Sequence, residues 1–387
     1  MDAKEVYLLM KKEYRISRNI RAKWFFGNLN KQIKVKSEDE LLNSAEELEV
    51  LSIIPKRANV NENDGKESKG QNVETEDKTY KLLPTSHVHF LARRYRIVTV
   101  LDISPSMATV DILSGRVSLI DIFRCFTNCL KGLIQPFTVP GSRLLLKPQI
   151  YITVIAYTPL CALCTQQVLV QGCLLTEENL DPFLEDIQIK LEEYEDKIVS
   201  GIFCETWHPN EASNIDPSAH QSFNDGHESS RRTVQNMPDM VTPDIGLVNM
   251  IWYGILALQL LPENTSAGMV IITDGVMGMP DVPTMNSLLN QMRSSTIACS
   301  FIQVGKGYHP QCSFGYIPHT ELMQFIAQAT FGAFLSKCPE IDPTKKTDMN
   351  PYHQAFLSWH FQKGLDGIKI DYIKAHISRR WVAYYKV

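Results

Sequence analysis

No stretch of this 387-residue sequence approaches the ~20 consecutive apolar residues that a membrane-spanning helix needs. Strong charge of one sign is missing too. Lys and Arg total 39 against 43 Asp and Glu, which leaves a formal net charge of −4. That balance offers no basic surface for nucleic acid or an anionic membrane. There is no G-x-S-x-G elbow, which removes a serine hydrolase. Gly305-Lys306-Gly307 lacks the preceding glycine of a phosphate loop. The start, MDAKEVYLLMKKEYRISRN, has charges where a signal peptide needs an apolar core. A disulfide framework is not favoured. The nine cysteines are odd in number and irregularly spaced, Cys125 and Cys129 stand at helical spacing, and Cys299 lies in an apolar run. They suit buried free thiols in a reducing compartment. The expectation is a cytosolic protein that reaches membranes only through partners.

What is present is ordinary globular composition, with 44% hydrophobic and 21% charged residues. Residues 1–55 read as an α+β segment. Val6–Met10 is a short apolar run, RNIRAKWFFGNL is helix-like, and Ser37 and Glu40 form a capping box before LLNSAEELEVLSIIP. Residues 56–81 hold a polar run with almost no large apolar residue, which predicts a disordered loop. From 82 to 336 strands and helices alternate. Ile97–Leu101, Ile150–Tyr157, Gln167–Leu174, Met269–Thr273, Thr296–Val304 and Ala333–Leu335 read as strands. Ser118–Ile134, Glu177–Ser200, Gly246–Leu261, Val282–Arg293 and Thr320–Phe331 read as helices, the last stopped by Gly332. Residues 205–240 form a second polar insert, too long for an ordinary connection. Residues 337–387 contain aromatic positions but no motif. Near-continuous apolar strands joined by amphipathic helices predict an α/β fold, with a mostly parallel sheet covered on both faces. The adjacent strands near 150 and 167 are the natural place for an antiparallel edge.

In open α/β sheets, ligands sit beyond the carboxyl ends of the strands. Asp102, Ser104 and Ser106 follow the first strand of this region. Thr242 precedes the Gly246–Leu261 helix, and Asp274-Gly275 follows the strand MVIIT. Two carboxylates and three hydroxyls suit Mg²⁺ or Mn²⁺. Asp102 and Asp274 would supply charge, and the hydroxyls neutral oxygens. A metal-free alternative stays open, in which both aspartates bond neighbouring backbone amides and hold the loop edge.

D-x-S-x-S after a first strand, a Thr before a central helix and Asp-Gly after a later strand together resemble the metal-ion-dependent adhesion site of von Willebrand factor A domains. The resemblance covers roughly residues 95–336. It implies a Rossmann-type sheet and a Mg²⁺-dependent protein-binding site rather than an enzyme.

Several longer stretches resemble the amino terminus of the seizure-threshold-two family. They are LLMKKEYRISRN, ELEVLSIIP, LDISPS, VLVQGCLL, GILALQLLP, SAGMVIITDGV, LLNQMRS, ACSFIQVG and CSFGYIP. Members of that family are very large scaffolds of the KICSTOR complex. The resemblance implies a scaffold whose partners are other KICSTOR subunits and the GATOR-one complex. It also implies recruitment to the lysosomal surface, with the peroxisome as a second location, and restraint of mTOR signalling when amino acids are scarce. The family's proteins are much longer than this chain, and the tail KIDYIKAHISRRWVAYYKV does not continue their pattern. A fragment, a truncated gene product or a short isoform is therefore expected.

Weaker signals have plain readings. Cys161-Ala-Leu-Cys164 has zinc spacing but no second Cys/His pair nearby. His87 and His89 read as surface residues of an extended segment. Arg93-Arg94-Tyr95-Arg96 reads as the solvated start of a strand. An aspartyl phosphatase would need a second acid two residues after Asp102, where this chain has Ser104.

Overall fold

The computed structural model describes residues 1–11, 18–35, 46–56, 78–108, 110–111, 116–160, 165–206, 243–305, 318–342, 344 and 347–359. The chain opens on β1 (Ala3–Met10), in which Val6 to Met10 are all buried. Helix α1 (Arg18–Asn28) and the short β2 (Gln32–Lys34) follow, then β3 (Leu48–Pro55), β4 (Thr79–Lys81) and β5 (His87–Ala92). β1 is the centre of a three-stranded sheet, antiparallel to β3 and parallel to β5. β2 and β4 form a separate antiparallel ribbon.

Two expectations change here. ELEVLSIIP does not continue a helix: Leu48–Pro55 is β3, and Ser37 and Glu40 lie outside the described residues. Leu48, Val50, Leu51 and Ile53 are all buried against the neighbouring elements. That tertiary burial outweighs the local helix signal. The polar run at 56–81 ends in strand rather than loop, because Thr79–Lys81 pairs with β2. The sheet also crosses the division expected near residue 82, since β5 pairs with β1.

The larger sheet has six strands. They are β6 (Arg94–Asp102), β7 (Gln149–Tyr157), β8 (Gln166–Leu175), β9 (Ser266–Thr273), β10 (Ala298–Gln303) and β11 (Phe334–Leu335), in the spatial order β8-β7-β6-β9-β10-β11. All neighbours are parallel except β8, which runs antiparallel to β7 at one edge. Counted within this sheet the order is 3-2-1-4-5-6, that of a doubly wound sheet. The chain winds outward in one direction through β7 and β8, then in the other through β10 and β11. Its switch point lies between β6 and β9.

Strand alternation sorts the core into two layers. Ile97, Leu101, Ile150, Ile152, Val154, Val270 and Ile272 face one side. There they meet α2 (Ser118–Ile134), α3 (Leu180–Thr206) and the amino-terminal sheet. Val98, Val100, Ile155, Met269, Ile271, Cys299 and Phe301 face the other. There they meet α4 (Pro243–Gln259), α5 (Val282–Ser294) and α6 (Thr320–Thr330). The spacing of Ile122, Cys125, Phe126, Cys129, Leu130 and Leu133 makes α2 one apolar stripe, and all six are buried. Helix α5 is capped by Asp281, whose carboxylate accepts the Thr284 N–H at 3.2 Å.

The end of α6 differs from expectation by one residue. Phe331, not Gly332, is the left-handed cap, at φ 60°. Gly332 is needed for a different reason. A Cβ there would stand 1.9 Å from the Cys299 carbonyl oxygen of β10.

The basic run at the start of β6 is solvated only at its beginning, where Arg93 is exposed and Arg94 half-buried. Tyr95 and Arg96 are buried. Arg96 donates to the carbonyls of Leu261 and Pro262, just past α4, at 3.2 and 3.3 Å. The segment after β11 is part of the core as well. Tyr352, Phe356 and Trp359 are buried, and Trp359 bridges to Phe90 of β5. The Tyr95 hydroxyl accepts the Ala92 N–H at 2.7 Å and donates to the Leu357 carbonyl at 2.9 Å. It thereby fastens both sheets to this segment. His89 is half-buried rather than superficial, stacked on Tyr7 with centroids 4.6 Å apart. No helix among the described residues is long and apolar enough to cross a membrane.

Candidate functional site

Parallel strands end on one rim, and β6 and β9 are neighbours in register, with Leu101 opposite Ile272. The next residues, Asp102 and Thr273-Asp274, therefore meet at the switch point. This is where doubly wound sheets open a crevice for ligands.

Asp102 is 1% exposed. Its Oδ1 accepts the Ser104 N–H at 3.0 Å and the Ser104 hydroxyl. Its Oδ2 accepts the Thr273 hydroxyl at 2.6 Å. Thr273 Oγ1 in turn accepts the Gly275 N–H at 3.0 Å, which sets the turn after β9. Gly275 has φ 85°, a conformation that glycine adopts without steric cost. Asp274 Oδ1 accepts the Val276 N–H at 2.8 Å. The Ser106 side chain lies beside the Asp274 carboxylate and favours its charged form. These backbone bonds are those of the metal-free alternative.

The electrostatics point the other way. Burial first, and the charge of Asp274 next, push the Asp102 carboxyl up to about 6. Burial likewise raises Asp274. Burial and then the Asp102 charge push up the Tyr157 phenol at the end of β7. Two carboxylates held together out of water disfavour each other's charge. A hard divalent cation relieves that, and the oxygens at hand (two carboxylates with the hydroxyls of Ser104 and Ser106) are its preferred donors. The residues present thus fit such an ion. Among the described residues there is no cluster of three or more His, Cys, Asp or Glu side chains suited to a metal.

Of the five residues singled out in the sequence, the fold brings together Asp102, Ser104, Ser106 and Asp274. Thr242 lies outside the described residues. The start of α4 does reach this rim: a Cβ on Gly246 would stand 2.7 Å from Tyr157 Oη. Cys161, Cys164, Lys306 and Gly307 also lie outside the described residues.

Sequence reasoning missed Thr273, Tyr157 and Gln303. Gln303 ends β10, donates to the Asp274 carbonyl at 3.2 Å and accepts from Thr320 at 3.3 Å. All three are the last residues of rim-facing strands. The rule that found Asp102 would have found them had it been applied to every parallel strand.

No protein-family profile matches the chain. Solved structures with a similar arrangement have little sequence in common with it. A von Willebrand factor type A protein from Catenulispora acidiphila is 11% identical, with TM-score 0.33, over 68% of this chain and 42% of that one. The manganese-loaded TRAP protein of Plasmodium vivax is 9% identical, with TM-score 0.31, over 71% of this chain and 80% of that one. The human COPII-coat protein Sec24c is 10% identical, with TM-score 0.34, over 65% of this chain and 32% of that one. The chain spans less than half the length of the first and third. The α/β architecture stands on the strand order described above.

Proposed function

We propose that this chain is a non-enzymatic protein-interaction module. The observation that supports this reading is the pairing of Asp102 with Asp274 at the switch point, with Ser104 bonded to Asp102 and Ser106 beside Asp274. Asp102, Ser104, Ser106, Thr242 and Asp274 would hold Mg²⁺. An octahedral ion on so few protein ligands keeps positions for water or a partner's carboxylate. Such a site recruits an acidic residue without reacting with it. The second acid that an aspartyl phosphatase needs is Ser104 here.

At the finer level, the chain is part of a KICSTOR scaffold. Its partners are other KICSTOR subunits and GATOR-one proteins, its place is the lysosomal surface, and its effect is to restrain mTOR signalling when amino acids are scarce. The support is the spread of resembling segments over both sheets. ELEVLSIIP is β3, LDISPS joins β6 to its loop, SAGMVIITDGV contains β9 and ACSFIQVG contains β10. The test is affinity capture of the full-length gene product from amino-acid-starved cells. Recovery of KICSTOR or GATOR-one subunits supports the reading, and absence of all of them rejects it.

A second reading is a cation-dependent binder outside that pathway, favoured by the rim itself. Capture that requires Mg²⁺, fails in Asp102→Ala and contains none of those subunits would select it.

A further inference from the structure

Helix α4 lies on the outside of the large sheet, yet its solvent side is apolar. Ile245, Trp252, Tyr253, Leu256 and Leu260 are all exposed, Trp252 by 43% and Leu260 by 75%. Leu260 continues the last turn, with its N–H on the Ala257 carbonyl at 3.2 Å. At about 100° per residue the five fall within roughly 100° of the helix circumference and form one stripe. No charged residue stands between Ile245 and Leu261. A helix that is apolar on every side is one that something covers. Among the described residues nothing lies over this stripe.

The surroundings are of the same kind. Helices α4, α5 and α6 carry one charged residue each, Asp244, Arg293 and Glu321, whereas α3 on the opposite face carries ten. Strand β8, the sheet edge beside α4, carries none, and its Gln171 side chain donates to the Ala257 carbonyl at 3.4 Å.

We propose that this face docks a second copy of the chain, α4 against α4, antiparallel across a two-fold axis. Three observations select a copy as the occupant. The first is charge. Each chain carries a formal net charge of −4, so two copies repel one another over most of their surface. The stripe is where they can meet without bringing like charges together. The second is symmetry. A two-fold contact pairs residue i with j and j with i. The midpoint of the stripe falls between Trp252 and Tyr253, and Ile245 and Leu260 are equally far from it along the chain. An antiparallel copy therefore sets Ile245 on the partner's Leu260, and Trp252 on the partner's Tyr253 at the centre. The third is area. With about 200 Å² for a large apolar side chain, the exposed fractions leave roughly 500 Å² of apolar surface. Homodimer interfaces are about 65% apolar, so this is the apolar content of a patch near 800 Å² per copy, the standard size for a stable interface.

The docking uses neither Asp102 nor Asp274, so the test is run in EDTA and does not depend on a cation. Sedimentation equilibrium of the intact chain covers about 0.1–100 µM, because interfaces of this size reach micromolar dissociation constants at their weakest. A reversible dimer of the 44.0 kDa chain is expected. Ile245→Glu and Leu260→Lys should each weaken it at least tenfold. Combined in one chain, the two substitutions place Glu against the partner's Lys at both ends of the stripe. The double variant should therefore associate more tightly than either single variant, which a misfolded protein would not do. Ile189→Lys, at an exposed position of the charged helix α3, should leave association unchanged. Three results overturn the proposal. One is a monomer throughout the range, which would assign the face to a different protein. Another is a dimer that neither single variant weakens. The third is a double variant no tighter than the singles.

Discussion

Thr273 donates its hydroxyl to Asp102 Oδ2 at 2.6 Å, although 171 residues separate the two. The bond joins the ends of β6 and β9 across the switch point, where the sheet has no further ladder to hold them. Thr273→Ala should leave a buried carboxylate oxygen without this donor. A loss of about 1.5–3 kcal/mol is expected in denaturant unfolding, as for hydrogen bonds to charged groups. Thr273→Ser should recover most of it.

The raised Asp102 carboxyl makes stability depend on pH, and its sign is set by the direction of the shift. The ordinary value in the unfolded chain is near 3.8 and the folded value about 6. Between these, the folded state binds more proton than the unfolded one. The contribution is present in full below the unfolded value and is lost as pH rises through about 6. Its size is about 3 kcal/mol at most. In EDTA, wild-type stability should fall from pH 4.5 to 7 relative to Asp102→Asn, as read from urea midpoints. Parallel pH profiles for the two proteins would contradict this.

Two glycines should respond oppositely to alanine. Gly332→Ala drives a Cβ into the Cys299 carbonyl, so several kcal/mol of destabilisation or failure to fold is expected. Gly268→Ala in β9 meets nothing within 4 Å and should be tolerated or slightly stabilising. Thermal unfolding of the pair checks both.

Tyr95→Phe removes the hydroxyl that serves both the Ala92 amide and the Leu357 carbonyl. Both partners are left buried and unpaired. A loss of about 2 kcal/mol or more is expected. Amide exchange should accelerate first at Leu357–Trp359 and in β5, which this hydroxyl links.

Much of the large sheet is written locally. Helix α2 begins and ends where the spacing of Leu119, Ile122, Phe126, Cys129 and Leu133 says it should. The apolar runs that became β6, β7, β9 and β10 need only be long, β-branched and bounded. The antiparallel edge at β8 follows from the short link between it and β7. What resisted reading depends on distant partners. Leu48–Pro55 carries a helix signal and becomes a strand because β1 is there to pair with it. Arg96 looks solvated until the carbonyls after α4, 165 residues on, are seen to need its donors. Tyr352, Phe356 and Trp359 form no motif because they fill space left by other elements. At the site, Asp102 and Asp274 were legible as strand-ending acids. Thr273 ends its strand as Asp102 does, so its place at the rim was legible by the same rule. Its bond to Asp102 was not, because that depends on which strands become neighbours.

The proposed docking site needs Asp102 and Asp274 to share one cation. Calorimetric titration of the metal-stripped chain with Mn²⁺, and separately with Mg²⁺, measures this. Saturable binding near one ion per chain is predicted, lost in Asp102→Ala and weakened in Asp274→Ala. At about 100 times the dissociation constant it should add about 2.7 kcal/mol to unfolding stability. Absence of binding at millimolar metal, or binding unchanged in Asp102→Ala, would contradict it.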